Sequence, residues 1–223
     1  AVLPGHGQYF DSPMIVYGVK TIAHGHVDDV IGDQALRFLR ERPRDQPFAL
    51  LYQFKAPHGN WQPAPRFAKA FEDMEMPEPP TLYEDIADRP RAVRKADMQL
   101  ADMGDFRDVV PASLPERERL RRNYQQFIKH YYRVLLGVDE NVGRVLDFLD
   151  KEGPAENTIV VYTSDNGFFL GEHGFYDKRM MLEPSIRVPM LLRWPKRIPA
   201  GQVDDEHMVL NIDMAPTLLS LAG

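Results

Sequence analysis

The sequence predicts an α/β fold, and three observations support that prediction. Residues 115–151 repeat apolar side chains every three or four positions, which is the pattern of a long amphipathic helix. The apolar run 159–163 follows shortly after Gly153-Pro154 and predicts a buried strand. A second strand is predicted at 188–194. A helix that leads into a buried strand is typical of a parallel sheet layer flanked by helices.

The N-terminal part of the chain predicts a loop and then a helix. Residues 1–25 are rich in Gly and His, which indicates irregular structure. Asp28 to Arg42 predicts a helix, because its apolar residues recur at three-to-four spacing and its acidic residues suit the positive end. Pro43 ends this helix.

The remaining elements are shorter. The apolar run 48–54 predicts a central strand. Residues 55–112 are interrupted by prolines and predict a long irregular stretch, which in a compact domain usually has a functional role. Residues 208–212 predict a short strand, and Asp213 is expected to cap a final helix through Leu221.

Composition excludes several classes of function. The chain has 223 residues, a formal net charge of −6 and no cysteine. The charge gives no basic footprint for nucleic acid, and no apolar run approaches the roughly 20 residues that span a bilayer. No secretory signal pattern is visible at the start. The absence of cysteine excludes disulfides and thiolate metal sites.

The strongest chemical signal lies at 163–179. Asp165 and Asn166 follow the predicted strand 159–163, at the strand end where α/β proteins bind ligands. A hard cation held by these oxygens, with Lys178 nearby, would attract an oxyanion. The alternative is a simple Asp-Asn-Gly turn between a strand and a loop.

The order of motifs in this region resembles the type I sulfatases of the alkaline-phosphatase-like superfamily. S-D-N-G, L-G-E-H-G, D-K-R, S-I-R-V-P and R-W-P follow one another from Tyr162 to Pro195. Upstream, residues 54–63 resemble the Pro-His loop of that family, and residues 213–219 also fit it. The resemblance implies an α/β fold with a mostly parallel sheet flanked by helices, of which residues 1–223 form part of the catalytic domain.

The resemblance also implies roles for individual residues. Asp165 and Asn166 would be calcium ligands, and Asn in place of His favours calcium and sulfate esters over softer metals and phosphate. Lys178 would hold the sulfate oxygens and stabilise charge as the ester breaks. His58 would protonate the leaving group. An alternative for Lys178 is a solvated ion pair with Asp177.

Four further residues are carried over as substrate-binding candidates: Lys55, Trp61, His173 and Arg179. Lys55 and Trp61 would shape the pocket. His173 and Arg179 would bind substrate or sulfate, or alternatively would order their own loop.

The nucleophile of the family is a formylglycine made from Cys or Ser in C/S-x-P-x-R, upstream of the Pro-His loop. Neither this motif, nor the two further metal-binding aspartates, nor the Lys–His pair that grips sulfate can be placed here. We therefore expect an internal piece of a larger sulfatase, without the N-terminal nucleophile and the C-terminal subdomain, that is inactive alone. Residues 113–117 match S-x-P-x-R in letters, but they fall after the Pro-His loop. Their pattern predicts a helix start with Ser113 as N-cap and Glu116 completing a capping box.

The implied reaction is hydrolysis of a sulfate ester, of a sulfated small molecule or glycan, to an alcohol and inorganic sulfate. The alternatives are a phosphodiester or phosphonate hydrolase of the same superfamily, and a non-catalytic carbohydrate-binding protein on a degenerate scaffold. Family analogy implies a periplasmic or secreted protein.

Overall fold

The computed structural model describes residues 7–222, which divide into two compact units. The first comprises residues 7–153 and 169–177, and the second comprises residues 154–168 and 178–222. The regular elements in chain order are β1 (Phe10–Val16), β2 (Val19–His26), α1 (Val27–Glu41), α2 (Arg91–Arg94), α3 (Glu116–Glu152), β3 (Val160–Thr163), β4 (Phe169–Leu170), β5 (Tyr176–Asp177), α4 (Glu183–Ile186), β6 (Met190–Arg193) and α5 (Met214–Ala222).

An antiparallel hairpin occupies part of the region that was predicted to be a loop. β1 and β2 pair along their length and end with Val16 opposite Val19. Tyr17 and Gly18 form the turn, with φ values of 49° and 82°, and two positive φ values are what a tight hairpin turn requires. The loop prediction is therefore wrong over β1 and β2, because Gly18 serves the hairpin turn. Residues 1–6 of that prediction lie outside the described residues.

The core of the first unit lies where α1 packs on α3. Both helices were predicted, and their bounds agree with the prediction to within one residue. Full burial of an aliphatic or aromatic side chain stabilises a fold by about 1.5–3 kcal/mol. The fully or nearly fully buried apolar side chains of the two helices include Val27, Ala35, Leu36, Leu39, Tyr124, Phe127, Ile128, Val134, Val138 and Leu149.

A polar cluster ties this helix pair together. The buried amide of Asn141 on α3 donates to Asp29 Oδ1 on α1 at 2.8 Å and to the Gly137 carbonyl at 2.8 Å. Arg66 donates to both carboxylate oxygens of Asp29 at 2.7 Å and to Glu140 at 2.6 Å. The hydrogen bond from Arg66 is the main reason that the pKa of Asp29 falls to about 2.

Two predicted strands do not form. Residues 48–54 adopt no regular strand, and Leu51 is 87% exposed. A strand needs a neighbour to pair its backbone N–H and C=O groups, and no strand among the described residues pairs with this run. Residues 208–212 lead into a 3₁₀ turn at Asn211–Asp213. Asp213 accepts a hydrogen bond from the Leu210 N–H at 2.8 Å, just before α5.

The second unit contains a two-stranded sheet and α5. β3 and β6 form where strands were predicted, but they pair antiparallel, from Val160 opposite Arg193 to Thr163 opposite Met190. Every strand pair among the described residues is antiparallel. The parallel pairing predicted for β3 is therefore not observed within these residues. The predicted burial of β3 is incomplete, because a single neighbouring strand leaves Tyr162 41% exposed.

The start of α3 corrects one local prediction. The helix begins at Glu116 with Pro115 as its N-cap, and no side chain caps it. Ser113 is therefore not the cap, although the segment does open the helix as predicted. No helix within residues 7–222 combines the length and the apolar character that crossing a membrane requires.

Gly32→Ala is expected to destabilise the first unit by about 1–3 kcal/mol. A Cβ at Gly32 would lie 2.2 Å from Asn141 Oδ1, and Asn141 cannot retreat without losing its bonds to Asp29 and Gly137. The measurement is the midpoint of urea unfolding, monitored by the circular dichroism signal of the helices. Gly143→Ala on α3 is the control, because no atom lies within 4 Å of its added Cβ. This control should gain up to about 1 kcal/mol, and equal midpoints for the two variants would contradict the packing described.

Acid is expected to weaken the α1–α3 interface through Asp29. Its folded pKa of about 2 lies below the ordinary Asp pKa of about 3.9, so the stabilisation is complete above about pH 4 and is lost as the pH falls toward 2. This lowering of the pKa corresponds to at most about 2.6 kcal/mol. Partial exposure of both partners reduces this to about 1 kcal/mol.

Arg66→Met tests this expectation, because it removes the main cause of the low pKa. Its unfolding free energy should fall less between pH 5 and pH 2 than that of the native chain. Arg37→Met breaks an exposed pair with Glu41 on α1 and a cation–π contact with Tyr17, neither of which involves Asp29, so it should keep the native slope. An unchanged slope in Arg66→Met would show that Asp29 does not couple to folding.

Candidate functional site

Lys55 and His58 lie together on the loop that resembles the Pro-His loop. Lys55 is only 9% exposed, and its Nζ lies 2.7 Å from the Gly59 carbonyl oxygen and 3.3 Å from His58 Nδ1. His58 Nδ1 also lies 3.0 Å from the Gly59 carbonyl oxygen. The structure therefore brings two of the predicted site residues into direct contact.

The two contacts of His58 Nδ1 require different positions of the ring proton. A lysine ammonium only donates, so its bond to Nδ1 places the proton on Nε2. A carbonyl only accepts, so a bond from Nδ1 to Gly59 places the proton on Nδ1. The Gly59 carbonyl already accepts the shorter bond, from Lys55. In either arrangement Nδ1 is engaged inside the loop.

Two buried side chains from outside the loop hold its backbone. Asp28 Oδ1, in the first turn of α1, accepts a hydrogen bond from the Lys55 N–H at 2.9 Å. The Tyr9 hydroxyl donates to the His58 carbonyl at 2.7 Å, and the Tyr9 ring centroid lies 5.1 Å from Lys55 Nζ. Burial raises the pKa of Tyr9 well above its ordinary value. Its hydroxyl therefore stays protonated and can donate across the physiological pH range.

A polar cavity of about 330 Å³ adjoins this loop in the first unit. Its lining includes Tyr9, Lys55, Gly59, Asn60 and Gln62. A cavity of this size with a buried ammonium in its wall can take a small anionic or hydroxylated group.

Trp61 packs this loop against α3. It is 6% exposed, its Nε1–H donates to the Pro57 carbonyl at 2.8 Å, and its ring meets Phe127 at 5.0 Å in an edge arrangement. These contacts fix the loop conformation from inside. The predicted contact of Trp61 with substrate stays a prediction, and the geometry shows a packing residue.

His173 lies on a separate loop of the first unit, between β4 and β5. Its Nδ1 lies 2.5 Å from Glu84 Oε2, and its backbone N–H donates to Thr81 Oγ1 at 3.2 Å. Hydrogen bonds from Arg89 and, after it, from His173 lower the pKa of Glu84. Of the two predicted roles for His173, these contacts support loop ordering. Its binding to substrate or sulfate remains a prediction.

In the second unit, Asp165 and Asn166 follow β3 as predicted. Asn166 Nδ2 donates to the Gly167 carbonyl at 2.7 Å, while Asn211 Nδ2 donates to the backbone carbonyl of Asp165 at 3.2 Å. Within the described residues, the only hydrogen bond to the Asp165 carboxylate comes from Ser164 Oγ at 3.5 Å. The pair thus sits on a loop held by its backbone, with an exposed carboxylate.

Lys178 and Arg179 also belong to the second unit. The Lys178 ammonium lies 5.8 Å from the centroid of the Phe168 ring, and the Lys178 carbonyl accepts a hydrogen bond from Ser185 Oγ at 2.6 Å. Arg179 is exposed. The site candidates are therefore divided: Lys55, His58, Trp61 and His173 belong to the first unit, and Asp165, Asn166, Lys178 and Arg179 to the second.

The sequence reasoning did not select Tyr9, Asp28 or Asn211, which hold the candidate loops in place. Tyr9 fell in a region predicted to be loop, and Asp28 was interpreted only as a favourable charge at a helix start. Asn211 was placed in a strand that does not form. Only the adjacency of Asp28 to a helix N-terminus was visible beforehand, and a residue in that position is usually a structural one.

Comparison with known proteins identifies the family of the chain. The sulfatase family model matches residues 4–223. The chain is 35% identical to an N-acetylglucosamine-6-O-sulfatase of Bacteroides thetaiotaomicron, over 97% of this chain and 46% of that protein. It is 30% identical to an extracellular sulfatase SULF-1 homolog of Drosophila melanogaster, over 98% of this chain and 19% of that protein.

A solved structure extends the agreement to the fold. The structure of BT4656, in complex with its substrate D-glucosamine-2-N,6-O-disulfate, superposes with a TM-score of 0.88 at 34% identity, over 98% of this chain and 53% of that one. This similarity confirms the predicted α/β, sulfatase-like fold class. The chain spans about half or less of the length of these relatives. The match over nearly its whole length shows that the chain belongs to the sulfatase family.

Proposed function

We propose that the protein carrying this sequence hydrolyses a sulfate ester of a carbohydrate to an alcohol and inorganic sulfate. The observation that carries the proposal is the contact between Lys55 and His58, which sets a histidine beside a buried cation on the Pro-His loop. An anionic ester and a departing alkoxide need this chemistry: positive charge for the anion and a proton for the leaving oxygen.

His58 is assigned as the general acid. As the nucleophile bonds to sulfur, the sulfur–oxygen ester bond breaks and its electron pair stays on the leaving oxygen, which takes a proton from the imidazole and departs as the alcohol. With Lys55 donating to Nδ1, the ring proton lies on Nε2, and we assign the transfer to that atom. Nδ1 takes a proton from the Lys55 ammonium as Nε2 loses its own, so the ring stays neutral. The Lys55 contact would thus select the tautomer that can donate.

Lys178 is assigned to the sulfate oxygens. An ammonium holds such oxygens as a point charge and stabilises the charge that develops on ester cleavage. Arg179, next in the chain, carries a second positive charge suited to an anionic substrate. The S-x-P-x-R match at residues 113–117 leads into α3, so it does not supply the nucleophile that the family resemblance implies.

Asp165 and Asn166 would hold calcium. Carboxylate and amide oxygens are ligand types that this hard cation prefers. The Asp165 carboxylate is weakly hydrogen-bonded, so its oxygens can coordinate the cation. The described residues contain no group of three or more His, Cys, Asp or Glu side chains that could hold a metal. A shell of six to eight oxygens therefore needs further donors. When bound, calcium would supply positive charge to the sulfate oxygens.

The relatives indicate the class of substrate. One is named for N-acetylglucosamine 6-O-sulfate, and BT4656 was solved with a 6-O-sulfated glucosamine. We assign the same class, a 6-O-sulfated N-substituted glucosamine, to this protein. A periplasmic or extracellular location is assigned with it, because sulfated glycans are found outside cells and a relative is an extracellular sulfatase.

Activity of the full-length gene product tests the role of His58. His58→Ala should lower kcat on N-acetylglucosamine 6-sulfate by about 10²–10⁴-fold, because the leaving alkoxide loses its proton donor. Released sulfate is the readout. His24→Ala is the control, because its side chain is 85% exposed on the hairpin. Faster hydrolysis of a matched phosphate ester would favour the phosphodiesterase alternative, and no turnover of either ester would favour a binding protein.

Calcium binding tests the metal assignment without an activity assay. After chelation, added calcium should raise the melting temperature of the full-length protein, because a ligand that binds only the folded state stabilises it. Asp165→Ala should abolish most of this rise, whereas Asp204→Ala, which removes an exposed carboxylate paired with His207, should keep it. An equal rise in the native protein and in Asp165→Ala would place calcium elsewhere.

A further inference from the structure

We propose that Tyr9 and Asp28 are positioning residues that aim His58 at the leaving group. The inference rests on the general-acid role proposed for His58. Both side chains form hydrogen bonds with the backbone of the loop. They hold the backbone on both sides of the turn that carries the imidazole, and the turn itself is closed by a hydrogen bond from the His58 N–H to the Lys55 carbonyl at 3.0 Å.

The two contacts fall at the two ends of this turn. Asp28 Oδ1 accepts from the N–H of Lys55 at 2.9 Å, at the start of the turn. The Tyr9 hydroxyl donates to the carbonyl of His58 at 2.7 Å, at its end. Because the turn is held at both ends, it cannot rotate as a unit. The orientation of the His58 Cα–Cβ bond is therefore fixed.

Both residues belong to the junction between the hairpin and α1, which gives the anchor its rigidity. The Val27 N–H donates to the Tyr9 carbonyl at 2.7 Å, and Asp28 follows Val27 in the first helical turn. At the same junction His26 Nε2 contacts the Gln62 carbonyl at 3.0 Å. Tyr9, His26 and Asp28, which are all buried at this junction, therefore contact the loop backbone at three places.

Burying the Asp28 carboxylate costs folding free energy, which is not expected of a residue that serves stability alone. The residue is completely buried, and its Oδ2 has no hydrogen-bond partner among the described residues. A buried carboxylate oxygen without a partner destabilises a fold. Such groups are uncommon in native structures and are found more often at functional sites. Tyr9 is 2% exposed, so neither residue can serve a partner at the surface.

Misalignment of a general acid has a specific kinetic signature. Cleavage that expels a sugar alkoxide depends on protonation, whereas cleavage that expels 4-nitrophenolate, a stable anion, depends on it little. Misorientation of the His58 imidazole should therefore lower kcat on N-acetylglucosamine 6-sulfate and leave kcat on 4-nitrophenyl sulfate nearly unchanged. A general loss of folded enzyme would lower both rates by the same factor.

Tyr9→Phe in the full-length enzyme is the main test, because it removes one hydroxyl and keeps the ring. We expect kcat on the sugar sulfate to fall about tenfold, with KM unchanged and with less than about a twofold loss on the aryl sulfate. Tyr124→Phe is the matched control. Tyr124 is 3% exposed, and its hydroxyl also donates to a backbone carbonyl, that of Pro77, so its two rates should change equally.

Asp28 supplies a second, independent variant pair. Asp28→Asn keeps an oxygen that can accept the Lys55 N–H, and it should stay within about threefold of the native enzyme on both substrates. Asp28→Ala removes the acceptor and should show the loss that is selective for the sugar sulfate.

His58→Ala separates the two levels of the argument. If His58→Ala loses the sugar sulfate selectively but Tyr9→Phe and Asp28→Ala slow both substrates equally, the positioning role is overturned and the role of His58 stands. If His58→Ala itself slows both substrates equally, the general-acid role falls, and the positioning proposal falls with it.

Discussion

The packing of α1 on α3 is the constraint on which the first unit depends. The close approach at Gly32 places the Asn141 amide between the two helices, and Arg66 ties Asp29 to Glu140 across them. Because α1 begins directly at the end of the hairpin, this packing also fixes where the hairpin ends. The Pro-His loop is then enclosed between that junction and α3, against which Trp61 rests.

The candidate site residues are held through the backbone. The Lys55 N–H donates a hydrogen bond to Asp28, and the His58 carbonyl accepts one from the Tyr9 hydroxyl. Asn211 does the same for the Asp165 loop in the second unit. Main-chain anchors leave the functional groups available for chemistry, while burial of the anchors excludes competing water. Anchoring through the backbone, with the functional groups left available, suits a site that must bind a charged substrate and then release a charged product.

The candidate residues of the first unit also separate by role once their contacts are known. Lys55 and His58 touch each other, and Lys55 lines a polar cavity, which is an arrangement that can act on an anion. Trp61 is engaged on both its ring and its N–H with other parts of the fold. His173 is paired with Glu84, so that its loop is held by a hydrogen-bonding contact.

The sequence by itself determined α1, α3 and α5, two of the four predicted strands and the family. Periodic burial in α1 and α3 is a local property, and the ordered motifs from Tyr162 to Pro195 identify the sulfatases without coordinates. Tertiary structure alone decided the rest. The hairpin needed its turn geometry, and the run 48–54 forms no strand because strand formation depends on a neighbour. Tyr9 and Asp28 meet the Pro-His loop across 49 and 27 residues of chain, and no local pattern encodes a contact at that separation.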